Sequence, residues 1–187
     1  GGHSDLMLGS AAAGEKYYAK QRRTAQALGQ VVSPDDSSLA LRGLRTMGLR
    51  LNQETSSALE LSKWLDSRAE VAKVLCPMLP GSPGHEIWSR DFSGGCGLFS
   101  FVFKGKDGAA RDAFIDALTL FGIGYSWGGF ESLVTPIDPA TLRTATQWPL
   151  PGMDGADRYG VRLSIGLEGL DDLRADLERG LAAWAAA

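Results

Sequence analysis

The 187 residues carry 44% hydrophobic and 22% charged side chains, the balance of an ordinary water-soluble folded chain. A net charge of −3 argues against a nucleic-acid partner, and no apolar run approaches the roughly 20 residues of a membrane span. The two cysteines, Cys76 and Cys96, are too few for a disulfide framework and fit a reducing cytoplasm.

Residues 6–13 (LMLGSAAA) read as a buried strand bounded by glycines. Residues 14–30 read as a polar, basic helix whose apolar positions, Tyr17, Ala25 and Leu28, are sparse and which Gly29 ends. The stretch VVSPDDSS (31–38) is a helix start, with Pro34 in the first turn and Asp35 and Asp36 at the positive helix end. From there one helix is expected to about Ser67, with Leu44, Met47, Leu51, Ala58, Leu61 and Leu65 on one face. Gly43 and Gly48 each cost it about 1 kcal/mol against alanine. Such a helix is roughly 50 Å long, so it is expected either to kink at a glycine or to bridge two domains.

Beyond the helix the pattern changes. EVAKVLCPML (70–79) reads as a strand halted by prolines, and GLFSFVF (97–103) as an aromatic-rich strand. Asp107 is placed to cap a helix that holds Ala110, Phe114, Ile115 and Leu118. IGYSWGGFESLVTP reads as strand, glycine turn, strand, and YGVRLSIGL (159–167) as another strand. A last helix carries Leu170, Leu173, Leu177, Leu181 and Trp184 on one stripe. The order β, β, α, β, β, short helix, β, α describes an α+β layer, with helices on one face of a largely antiparallel sheet.

His3 and His85 are the only histidines and have no ligand-spaced partners, so neither a metal site nor a Ser-His-Asp arrangement is expected. The cysteines read as small core or loop residues, and no glycine-rich stretch has the lysine spacing of a phosphate loop. Strand alternation places Arg162, Ser164 and Gly166 on one face, and Val161, Leu163, Ile165 and Leu167 on the other. Arg162 reads either as part of a solvated outer face or as a fork that grips a carboxylate through two parallel hydrogen bonds, an amino-acid α-carboxylate being one target. Trp127, ahead of two glycines, reads either as an indole donor and apolar wall beside a ligand or as a core aromatic at a hairpin turn.

Five stretches, GGHSDLMLGSA (1–11), RGLRTMGLRL (42–51), VLCPMLPGSPGHEIWSRDFSGGCGLFSF (74–101), YSWGGFESL (125–133) and VRLSIGLEGLDDLRADLERGL (161–181), follow in order and are spread over nearly the whole chain. In sequence and spacing they resemble the Cys/Met-metabolism enzymes that use pyridoxal phosphate, the cystathionine γ-synthase-like group. The resemblance implies a fold-type I α/β and α+β architecture. Residues 1–34 would end the large cofactor-binding domain, 35–67 would be a long interdomain helix, and 68–187 the C-terminal small domain. YSWGG resembles the bacterial cystathionine β-lyases, with Trp127 where the γ-type enzymes carry leucine. That implies cleavage of L-cystathionine to homocysteine, pyruvate and ammonia, a step of methionine biosynthesis in the cytoplasm.

By the same resemblance the lysine that carries the cofactor belongs three positions before Gly1. Most other cofactor contacts would belong to the N-terminal portion of the enzyme or to a neighbouring subunit of a homotetramer. Arg162 would be the α-carboxylate arginine, Ser126 and Trp127 the residues beside it, and Tyr125 a flanking position. This chain by itself is then expected to be inactive. Two alternatives stand beside that expectation: a γ-lyase or γ-synthase of the same group, and a stand-alone interaction domain with no catalysis.

Overall fold

A computed structural model describes all residues, 1–187. Contacts divide them into two compact units, Gly1–Gly48 and Leu49–Ala187, with the division inside the longest helix.

In the first unit, helix α1 (Glu15–Ala27) buries none of its residues. Its mixed, strongly polar surface explains that: few apolar positions offer area to remove from water. It closes over Gly29 with two backbone bonds, Gly29 N–H to the Gln26 carbonyl and Gln30 N–H to the Ala25 carbonyl. Helix α2 (Pro34–Asp66) starts as expected, with the Ser33 hydroxyl accepting the Asp36 N–H at 3.0 Å. It runs unbroken through Gly43 and Gly48. Gly43 has a packing reason to be glycine: a Cβ there would sit 2.4 Å from the Gly1 carbonyl oxygen.

Residues 6–13 form no strand, contrary to the sequence pattern, and Met7 is 99% exposed. A strand needs a hydrogen-bonded neighbour, and no segment of the chain pairs with this one. The only sheet belongs to the second unit.

That sheet has five strands in the order β1-β2-β5-β4-β3. They are β1 (Val71–Leu75), β2 (Leu98–Phe103), β3 (Gly122–Ile123), β4 (Leu133–Ile137) and β5 (Gly160–Ser164). All neighbours are antiparallel except β3 and β4. The segment read as strand, turn, strand is therefore not a hairpin: β3 and β4 run parallel, and the glycine-rich residues between them make an excursion out of the sheet. A parallel pair cannot be joined by a two-residue turn, so the excursion has to cross back. β5 is shorter than expected, although Ile165 N–H still bonds the Gly97 carbonyl at 2.8 Å. A seven-residue helix, α3 (His85–Asp91), follows the prolines and glycines of 80–84, where the sequence pattern indicated no element.

One face of the sheet makes the core. Val74, Phe101 and Val161 lie side by side in register, as do Phe99, Leu163 and Val134. Against them pack Ala58, Leu61 and Leu65 of α2, Phe114 of α4 (Gly108–Asp116), and, beyond the four-residue α5 (Pro139–Leu142), Leu173, Leu177, Leu181 and Trp184 of α6 (Leu170–Ala186). Each such large side chain contributes about 1.5–3 kcal/mol by leaving water. Aromatic geometry adds to this: Phe103 meets Phe101 edge-on at 4.9 Å and stacks on Trp184 at 5.5 Å. Asp107 caps α4 as expected, accepting from Ala109 and Ala110 N–H.

Three buried carboxylates, Glu54, Asp157 and Asp176, were not foreseen. Asp176 of α6 is 2% exposed, and its carboxylate accepts the N–H groups of Thr119, Leu120 and Phe121, the Thr119 hydroxyl and an Arg179 ion pair. Burial by itself would raise its pKa. The backbone and Arg179 hydrogen bonds outweigh it and hold the carboxyl below its ordinary value. This carboxylate ties the chain leading into β3 onto α6. No helix is long and apolar enough to cross a membrane.

Candidate functional site

The opposite face of the sheet is polar where three strands meet. Ser100 of β2, Arg162 of β5 and Thr135 of β4 are register partners, so their side chains emerge together. Over them lies the excursion between β3 and β4. The Thr135 hydroxyl donates to the Gly124 carbonyl at 3.0 Å, and Arg162 Nη2 donates to the Tyr125 carbonyl at 2.6 Å. Two successive carbonyls are thus held down by a cross-strand pair. The next residues, Ser126 and Trp127, are turned outward, and Trp127 is 65% exposed. The loop then drops back, with Gly128 N–H 3.4 Å from the Ser164 hydroxyl.

The Arg162 guanidinium carbon lies 5.8 Å from the Trp127 ring centroid, within cation–π range. Its Nε is buried and has no hydrogen-bond partner. A guanidinium with one donor used, one buried donor unused and an indole beside it is an incomplete anion site.

The structure therefore brings Arg162, the Tyr125 backbone and Trp127 together, with Ser126 exposed between the last two. Trp127 is no core aromatic. Thr135 was legible as a site neighbour only through the register of β4 on β5, which the sequence does not state.

The histidines are engaged elsewhere. His3 Nδ1 bonds the Gly1 carbonyl and His85 Nδ1 the Pro77 carbonyl, each at 2.9 Å. No three His, Cys, Asp or Glu side chains gather as metal ligands. Burial pushes the Cys76 thiol up, which leaves it a poor nucleophile, while Cys96 is exposed.

The sequence matches the model of the family described as Cys/Met metabolism PLP-dependent enzyme over residues 1–182. It is 48% identical to the cystathionine β-lyase of Bordetella avium over 97% of this chain and 44% of that protein. It is 44% identical to the cystathionine β-lyase MetC of Escherichia coli K12, over 97% of this chain and 45% of that protein. Its fold superposes on the cystathionine γ-synthase of Xanthomonas oryzae pv. oryzae, solved in complex with aminoacrylate and cysteine, with a TM-score of 0.82. That pair is 35% identical over 99% of this chain and 48% of the other. The chain thus spans about half the length of the relatives it matches.

Proposed function

This chain belongs to the Cys/Met metabolism PLP-dependent enzymes, and on that premise we propose that it is the substrate-anchoring C-terminal portion of a cystathionine β-lyase. In this proposal residues 1–34 end the cofactor domain, 35–67 cross over and 68–187 form the small domain. The cofactor-bearing lysine belongs to the N-terminal portion. The working enzyme is a cytoplasmic homotetramer that cleaves L-cystathionine to homocysteine, pyruvate and ammonia.

The observation that carries the proposal is the incomplete donor set of Arg162 beside Trp127. It fits an amino-acid carboxylate. The groups that touch Arg162 offer no amine to join the cofactor's aldehyde and no carboxylate for its ring nitrogen, so those two roles belong to other residues of the enzyme. The chain's contribution is therefore binding and orientation. When bound in the enzyme, the cofactor supplies the electron sink for the pair left at Cα. Arg162 grips the α-carboxylate and so fixes which way the Cα–H bond points. The Tyr125 carbonyl restrains the guanidinium plane, and Trp127 walls it from water.

A γ-type activity is the second reading, favoured by the γ-synthase neighbour. The β reading rests on the tryptophan at 127 and on the relatives named β-lyases. In the full-length enzyme, Arg162→Ala is expected to raise KM for L-cystathionine by about 100-fold, with a smaller loss in kcat. Unchanged KM refutes the anchor. Product analysis separates the two activities: pyruvate with homocysteine marks the β-lyase, 2-oxobutyrate with cysteine the γ-lyase.

A further inference from the structure

The loop that carries Tyr125, Ser126 and Trp127 has two legs. The outgoing leg is held by Thr135 and Arg162. The returning leg touches β5 at Gly128, whose N–H lies 3.4 Å from the Ser164 hydroxyl, and is then held from a different quarter, the turn between β5 and α6. Leu167 N–H bonds the Phe130 carbonyl at 2.8 Å. Glu168 then takes Ser132 with both carboxylate oxygens: Oε1 accepts the Ser132 N–H at 2.6 Å and Oε2 accepts its hydroxyl at 2.8 Å. The same hydroxyl accepts the Gly166 N–H at 2.9 Å, and the Ser132 carbonyl accepts the Gly122 N–H at 3.0 Å. Ser132 is fully buried. The two segments meet so closely that a Cβ on Gly166 would lie 2.2 Å from the Phe130 carbonyl oxygen.

This arrangement is more specific than a generic loop anchor. Glu168 lies six residues along the chain from Arg162, and Ser132 lies at the foot of the leg that bears Trp127. The clamp therefore links the strand that carries the guanidinium to the loop that carries the indole, at the far end from their own contact. The outgoing leg is tied to Arg162 and Gly128 meets Ser164, so the clamp at Ser132 fixes the remaining end, the foot of the returning leg. A charged acceptor holding an N–H and an O–H at once is the strong form of hydrogen bond, suited to fixing such a position.

We propose that Glu168, acting through Ser132, is a positioning residue that sets Trp127 over Arg162 and so sets the affinity for the substrate carboxylate. It rests on the assignment of Arg162 as the carboxylate anchor. In the full-length enzyme, Glu168→Ala is expected to raise KM for L-cystathionine about tenfold while kcat stays within about threefold. Glu168→Gln keeps a carbonyl acceptor for the Ser132 N–H and is expected to return KM to within about threefold of the parent. Ser132→Ala, which spares the backbone bond, tests the clamp should Glu168→Ala fail to fold, and is expected to raise KM by about threefold or more.

Hydrogen exchange gives a readout independent of turnover. Peptides over residues 124–131 should exchange about tenfold faster in Glu168→Ala while those over β2 stay unchanged. In an Arg162→Ala background, Glu168→Ala should add less than about twofold to KM. Parent-like KM in Glu168→Ala or Ser132→Ala, or exchange that rises equally over β2, overturns the positioning role. Unchanged KM in Arg162→Ala overturns the anchor itself, and a raised KM there with a parent-like Glu168→Ala overturns the clamp alone.

Discussion

Helix α2 carries one apolar stripe, and its two halves have opposite fates. In the first unit Leu44 is 59% exposed and Met47 stands open as well, whereas in the second unit Leu61 and Leu65 are completely buried. The stripe residues themselves do not distinguish the halves: both carry large aliphatic side chains at helical spacing within one continuous helix. The second half has a sheet face and two more helices to pack against, and the first half has a polar helix and an unpaired segment within its own unit. An amphipathic pattern thus specifies which face seeks cover, while cover itself is a property of the partner surface.

The largest effect expected from this contrast is a pair of truncations on the one helix. Leu61→Ala should destabilise the second unit by about 2–5 kcal/mol, and Leu44→Ala should change stability by no more than about 0.5 kcal/mol. Urea unfolding of the 187-residue chain checks both, and similar losses would erase the distinction between the halves.

Next comes the buried Asp176 carboxylate of the second unit. Asp176→Asn should cost about 3 kcal/mol, because the backbone donors of 119–121 lose a charged acceptor. The native pKa of Asp176 lies below its unfolded value, so its stabilisation is complete above the ordinary carboxylate range. It fades as pH falls through the native pKa. Unfolding midpoints measured downward from about pH 5 should therefore drop more steeply in the parent than in Asp176→Asn. Parallel profiles would remove Asp176 as the cause.

The smallest effect is expected in the first unit. Gly43→Ala gains about 1 kcal/mol of helix propensity but drives a Cβ against the Gly1 carbonyl. Global stability should change little, while hydrogen exchange over residues 1–6 rises. A protected segment 1–6 in Gly43→Ala would show that the close approach is not needed.

The same lesson holds at the candidate site. Strand alternation alone put Arg162 and Ser164 on one face, and YSWGG alone marked Trp127, because both depend on residues adjacent in the chain. Thr135, Ser132 and Glu168 were not legible. Thr135 meets Arg162 only through the β4–β5 register, and Glu168 reaches Ser132 across 36 residues. Asp176 escaped notice for the same reason: on a helical wheel it is one more acidic residue, and its donors lie 55–57 positions away. The pairing of β3 with β4 also went unseen, since a glycine-rich connection has the same composition whether the strands it joins run antiparallel or parallel.

Periodicity, caps and turn residues determined α1, α2, α4, α6 and the strands β1, β2 and β5, because each reports a local energy: side-chain spacing, an unpaired N–H, a fixed φ. Linked motifs along the chain determined its family. Only the tertiary structure decided which apolar faces are covered, which strands are neighbours, and which carboxylates serve as hydrogen-bond hubs. Those outcomes depend on groups far apart in sequence, and their free energy exists only once the chain has brought them together.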